Sequence, residues 1–254
     1  MDLTNFFYYY TDVFSIPECN DIIKLGLENI QDNEKNNIDS HGRTFGQTEK
    51  DSMPKNSLPK NDLSISDIEK MEKNIDDYYI RDSRICWFHN RDIFNRVYPY
   101  VVDANKKSGW NWDWDFMENF QFSMYNPGNF YSWHTDGGSD FNSRFKRYLP
   151  GITNKPLGPN GEVPSGYTTN TNQVGKIRKI SIIVTLSSRE SYEGGELKFD
   201  FGEHYSKKIN KNLDHLREPG TIIIFPSFLQ HCVTPVKSGV RYSLVSWCSG
   251  DPWK

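Results

Sequence analysis

A chain of 254 residues can hold one domain with a substantial core, and its 16 Phe, 14 Tyr and 7 Trp must dominate that core and any pocket. A formal charge of −3 removes bulk attraction to nucleic acid or an anionic membrane. No apolar run approaches the roughly 20 residues that cross a bilayer, so no membrane partner is expected.

The opening Met1-Asp2-Leu3-Thr4 lacks the basic start and apolar stretch of a signal peptide. The four cysteines, Cys19, Cys86, Cys232 and Cys248, are scattered without CxxC spacing and read as free thiols of a reducing cytoplasm. Ser15-Ile16-Pro17-Glu18 is a capping box with proline at the helix start, and Cys19, Ile22, Ile23, Leu27 and Ile30 follow at helical spacing. Residues 31–62 are polar and read as a long loop. A second helix is predicted over Ser66–Tyr79, a strand over Ile80–Phe88, and a third helix from Asp92 to Gly109 with Ile93, Val97 and Val101 on one face. Trp110, Trp112 and Trp114 alternate next and read as core or barrel rim, with a grip on a proline ring as the alternative.

From Asn119 onward the pattern changes to strands. Phe120–Tyr125, Tyr131–Asp136, Ile177–Leu186, Glu196–Phe201, Thr221–Phe225, Cys232–Val236 and Val240–Trp247 are short, β-rich and bounded by Gly, Pro or Asn. The fold is therefore mainly β with flanking helices, an α+β chain closing into a barrel or sandwich. Residues 1–117 form a helical support region integral to the fold, and 118–254 the core. Residues 137–175, rich in Pro and Gly turns, form an insertion that reads as a lid.

Strand side chains alternate faces, so His134 and Asp136 project together from one strand. With the distant His231 they can occupy one face of an octahedral metal, the pattern of non-haem Fe(II) oxygenases. Zinc could also accept two His and one Asp, but no general base accompanies the set and an arginine follows it. Arg241 lies within an apolar strand and needs a partner if buried. That partner is either an internal Asp or Glu, or the distal carboxylate of 2-oxoglutarate, with Ser243 on the same face adding a hydroxyl. In Ile177–Leu186, Ile180, Ile182, Val184 and Leu186 suit packing on the helices. Lys179, Ser181, Ile183 and Thr185 suit a pocket wall. Tyr125 or Tyr131 either donates to the co-substrate or is ordinary aromatic core. His41, His89, His204 and His215 read as surface or cap residues. The basic set Arg144, Lys146, Arg147, Lys176, Arg178 and Lys179 reads as a solvated face, and nucleic acid is not expected as a partner.

These segments resemble the iron(II)- and 2-oxoglutarate-dependent dioxygenases of the prolyl 4-hydroxylase type, in particular the bacterial and phage-encoded PKHD-type hydroxylases. The resemblance runs through Phe122–Tyr125, His134–Asp136, Arg178–Ser181, Tyr192–Leu197, Pro219–Ser227 and His231–Leu244, and more loosely Tyr8–Leu27. It implies a double-stranded β-helix (jelly-roll, cupin-like) barrel buttressed by the N-terminal helices. His134, Asp136 and His231 would be iron ligands, Arg241 the carboxylate anchor, and Tyr125 part of the co-substrate pocket. Thr185 stands where some relatives place a tyrosine. Asp136 argues for hydroxylation over halogenation. The implied cofactors are Fe(II), 2-oxoglutarate and O2, with ascorbate as an accessory. The implied partner is a proline-containing peptide or protein, with a small molecule, free amino acid or nucleobase as the alternative substrate. A non-catalytic binding module is the remaining alternative. The oligomeric state is left open.

Overall fold

The computed structural model describes residues 5–42, 44–45, 79–136, 176–202, 213–251 and 253. The expected lid at 137–175 and the body of the expected helix Ser66–Tyr79 lie outside the described residues; Tyr79 itself begins a strand.

Helix α1 (Ile16–Lys35) starts at the capping box read from the sequence: Ser15 and Glu18 exchange the reciprocal bonds. It runs on through residues 31–35, which were expected to be loop and lie mostly exposed, with Lys35 pairing to Asp32 one turn back. Helix α2 (Arg91–Lys107) is capped by Asn90, whose side chain accepts from the Asp92 and Ile93 amides. It buries Ile93, Val97, Val101 and Ala104.

The strands form two main antiparallel sheets. One contains, in spatial order, β1 (Tyr8–Tyr10), β11 (Ile222–Pro226), β8 (Ile177–Thr185), β14 (Arg241–Gly250), β6 (Phe120–Tyr125) and β4 (Arg84–Phe88), with β5 (Phe116–Met117) also on β14. The other contains β10 (Leu197–Phe199), β12 (His231–Val233), β7 (Phe130–His134), β3 (Tyr79–Asp82) and β2 (Thr44–Phe45). A ribbon of β9 (Tyr192–Gly194) and β13 (Val236–Gly239) closes one end. This is the double-stranded β-helix architecture, and the apolar face Ile180, Ile182, Val184 and Leu186 packs with Cys19, Ile22, Val97 and Val101 as the alternation required.

Two strand readings need correction. Ile80–Phe88 is not one strand: Ser83 breaks it, and β3 and β4 enter opposite sheets. Cys232–Val236 is likewise two short strands. Strand β1 was not foreseen; three consecutive tyrosines carry no alternation of polarity. The four cysteines are buried free thiols. Among the described residues no helix is long and apolar enough to cross a membrane.

Gly220 ties the first strands to the core. Its φ is +80°, and a Cβ there would lie 1.9 Å from the Phe14 carbonyl oxygen. Its own carbonyl accepts from the Val13 and Phe14 amides. Gly220→Ala combines a left-handed backbone with a backbone clash, so a loss of more than about 3 kcal/mol is expected. Urea unfolding measures it, and a change under about 1 kcal/mol would contradict this account.

Candidate metal centre and its cavity

His134 ends β7 and His231 begins β12, and the two stand opposite each other in register. Their rings lie 4.1 Å apart between centroids. His134 Nδ1 is 2.7 Å from the Ser132 carbonyl oxygen, and His231 Nδ1 is 2.9 Å from that of Leu229. A carbonyl only accepts, so each Nδ1 carries the proton and each Nε2 keeps its lone pair. Both lone pairs turn toward Asp136: Nε2 of His134 is 3.7 Å from Oδ1, and Nε2 of His231 is 3.5 Å from Oδ2.

Asp136 lies beyond the end of β7 rather than within the strand, as the alternation had suggested. Its amide donates to the Ser227 carbonyl (2.8 Å), which holds the chain on course past the strand end. The Ser181 hydroxyl donates to Oδ2 at 2.7 Å and lies 2.9 Å from the Ser227 hydroxyl. Tyr131 lies flat on the His134 imidazole, with 3.4 Å between centroids and 8° between planes.

Burial pushes His134 down to about 3, and neighbouring His231 adds to the effect. Burial alone would raise the Asp136 carboxyl; His231, His134, Arg178 and the Ser181 hydroxyl outweigh it and hold it at about 2. At neutral pH both groups are therefore in the form a metal requires. Two imidazole nitrogens and a carboxylate, with ligand atoms within 4.8 Å of one another, fit a divalent ion with open positions. Ser181→Ala removes the bond that orients the carboxylate. Metal affinity is expected to fall about 10–100-fold with the fold retained; equal affinities in a metal titration would assign Ser181 no part in the site.

The three residues border a cavity of about 500 Å3. Of the expected co-substrate residues, Arg241, Ser243, Tyr125, Tyr131 and Ile183 line it. Arg241 is 4% exposed and donates from Nη1 to the Ser243 hydroxyl at 3.2 Å. Its guanidinium lies 5.4 Å over the Tyr125 ring. Among the described residues no carboxylate pairs with it. The cavity wall thus offers a buried cation that no described carboxylate neutralises, which fits a dicarboxylate co-substrate. Because Ser243 accepts from Arg241, its own hydroxyl proton remains to be donated outward.

Thr185 does not join this group. It is absent from the cavity wall, and its hydroxyl donates to the Leu216 carbonyl at 2.9 Å. Lys179 also leaves the pocket face, donating to the Asp113 carbonyl at 2.8 Å. Nor is the basic set a solvated face where described. Lys179 is 6% exposed, and Arg178 forks onto Glu118 at 2.8 and 2.6 Å while stacking on Trp247. The partners sit tens of residues away in sequence, so local charge spacing could not reveal them. His41 is exposed, as expected of a surface residue, and also borders the cavity, with Nδ1 3.1 Å from Asp39. His215 packs on the Tyr9 ring and is partly buried. Trp110 and Trp112 stack in the core region and do not line the cavity.

Sequence reasoning missed Arg81, Ile85, Trp87 and Gln121 in the cavity wall, whereas Val245 and Trp247 lie there on the strand face that alternation shares out to Arg241 and Ser243. The alternation of Ile85 and Trp87 was a usable signal for a shared face; nothing in the sequence marked Arg81.

A family model described as the 2OG-Fe(II) oxygenase superfamily matches residues 120–249, just over half of the chain. A PKHD-type hydroxylase of Synechococcus sp. is 40% identical over 70 residues, 28% of this chain and 29% of that protein. One from Klebsiella pneumoniae is 33% identical over 106 residues, 41% of each. The chain thus spans well under half the length of these curated relatives in the matched region. Over nearly the full length, the fold is similar to a viral collagen prolyl hydroxylase from Paramecium Bursaria Chlorella virus-1, solved with 2OG. The TM-score is 0.51 at 16% identity, covering 97% of both chains.

Proposed function

The chain belongs to the 2OG-Fe(II) oxygenase superfamily, and from that premise we propose that it is a dioxygenase that hydroxylates a prolyl residue in a peptide or protein. The observation that carries the dioxygenase reading is the convergence of two Nε2 lone pairs and a carboxylate at a cavity whose wall also holds Arg241, which has no carboxylate partner among the described residues. In this reading His134, Asp136 and His231 hold Fe(II), and Arg241 with Ser243 grips the distal carboxylate of 2-oxoglutarate. The bound ion supplies dioxygen activation coupled to loss of CO2 from the keto acid, leaving succinate.

The chain's own residues do the positioning. The Ser132 and Leu229 carbonyls fix the imidazole tautomers, Ser181 orients the carboxylate, and Tyr131 backs His134. Ile183, Val233 and Val245 contribute apolar side chains to the wall that also holds Arg241. Residues 1–117 act as support and 118–254 as catalytic core, but the support also furnishes wall: Arg81, Ile85 and Trp87 all face the cavity.

The prolyl assignment draws on the PKHD-type relatives and on the aromatic wall of Trp87 and Trp247, whose rings lie 5.7 Å apart. A pyrrolidine ring packs well on such faces. Succinate release measured with a library of proline-containing peptides, followed by mass spectrometry for the gain of one oxygen atom, is the test. Peptide-dependent succinate with oxygen placed on proline supports the reading. Succinate formation stimulated only by non-proline substrates would replace the substrate, and no 2-oxoglutarate consumption with any of them would end the dioxygenase proposal.

A further inference from the structure

Arg81 lies on β3, opposite Tyr131 of β7, and reaches across the cavity to the other sheet. It is 7% exposed. Nε donates to the Ser83 hydroxyl at 2.9 Å, and Nη2 donates to Gln121 Oε1 at 2.8 Å and to the Ser123 hydroxyl at 3.1 Å. The guanidinium lies 4.8 Å over the Tyr131 ring. All of these partners are neutral, and among the described residues Nη1 has none. A buried charge left in this state is costly unless an anion arrives. Arg178, on the same wall, shows the contrast: its charge is met by the two oxygens of Glu118.

Charge balance says which ligand Arg81 would take. The two charges of a ferrous ion and that of Arg241 are met by Asp136 and the two carboxylates of 2-oxoglutarate. Among the described residues no acid is left for Arg81, and the substrate is the remaining source of an anion within the cavity.

We infer that Arg81 receives a carboxylate of the substrate. The hydroxylated residue then either bears a free α-carboxyl or adjoins an acidic side chain. The inference deepens the dioxygenase reading and uses it for the charge balance, but the binding it requires can be measured without turnover.

The experiment is calorimetric titration of the full chain loaded with Mn(II) and 2-oxoglutarate, in the absence of oxygen. The probes are N-acetylproline against N-acetylprolinamide, and blocked Pro-Asp against blocked Pro-Asn, each pair differing by one carboxylate. At least one acid is expected to bind about tenfold or more tightly than its neutral partner. The pair that shows the preference identifies the source of the carboxylate. Arg81→Gln should bring that ratio to near unity while leaving 2-oxoglutarate affinity within about twofold, and Arg81→Lys should keep part of the ratio. Absence of any preference in the wild-type protein overturns the inference without recourse to a variant. So does an unchanged ratio in Arg81→Gln, or a loss of 2-oxoglutarate affinity there without a change in ratio, which would make Arg81 a second co-substrate clamp. Failure of 2-oxoglutarate to bind the metal-loaded protein would strike the dioxygenase reading instead, and it would be seen before any probe is added.

Discussion

Replacing His134 with alanine is expected to abolish turnover and to reduce bound Fe(II) far below one per chain. The reason lies in how few ligands the site has. Three side chains converge on one point, and two of them come from residues directly opposite in adjacent strands. Removing the His134 imidazole leaves a bidentate remnant of His231 and Asp136, and it withdraws the ring on which Tyr131 is stacked. Losing partners that merely orient a ligand already costs about 10–100-fold in affinity, so loss of the ligand itself should exceed that. Metal analysis of the purified variant and 2-oxoglutarate decarboxylation provide the two readings. A variant that kept full metal stoichiometry would remove His134 from the proposed ligand set, whatever happened to its activity.

Arg241→Ala should leave the metal bound and raise the apparent KM for 2-oxoglutarate by two powers of ten or more. Each charge-assisted hydrogen bond is worth roughly 1.5–3 kcal/mol, and a forked guanidinium supplies two. Even the lower figure taken twice, about 3 kcal/mol, corresponds to about a hundredfold. The side chain has no carboxylate partner among the described residues, so its removal strands no internal anion, and the protein should remain folded. That makes the two halves of the result separable: intact metal binding with weakened co-substrate binding. If the co-substrate constant did not move, the clamp assignment would be wrong, and Arg81 would be the first residue to examine in its place.

The chemistry of the metal site was legible in the sequence because it depends on residue type and on a local geometric rule. Few side chains ligate metals, and alternation along a strand puts residues two apart on one side. The reading of His134 and Asp136 as neighbours used only that rule, and the structure brings them together even though Asp136 lies past the strand end. The capping box at Ser15–Glu18, the apolar face of Ile177–Leu186 and the buried face of α2 were legible for the same reason: each is a local period. Arg241 was recognisable as a charge in an apolar strand, a conflict that asks for an explanation.

Other features depended on pairings between distant segments. Nothing local says that His231 lies opposite His134, that Ile80–Phe88 divides between two sheets, or that Arg178 meets Glu118. Thr185 and Lys179 share the face of Ser181 and Ile183, yet neither lines the cavity, and their polar groups bond backbone carbonyls instead. Arg81 carried no signal at all, because its meaning rests on what surrounds it: Gln121 and Ser123 from one sheet, Tyr131 from the other, and no acid among the described residues. Residue types and local periods fix which chemistry the chain can host and which faces of its strands and helices are buried. Which charges are neutralised within the protein and which face the cavity follows from the meeting of the two sheets, since burial and pairing are properties of both sheets together and not of either strand alone.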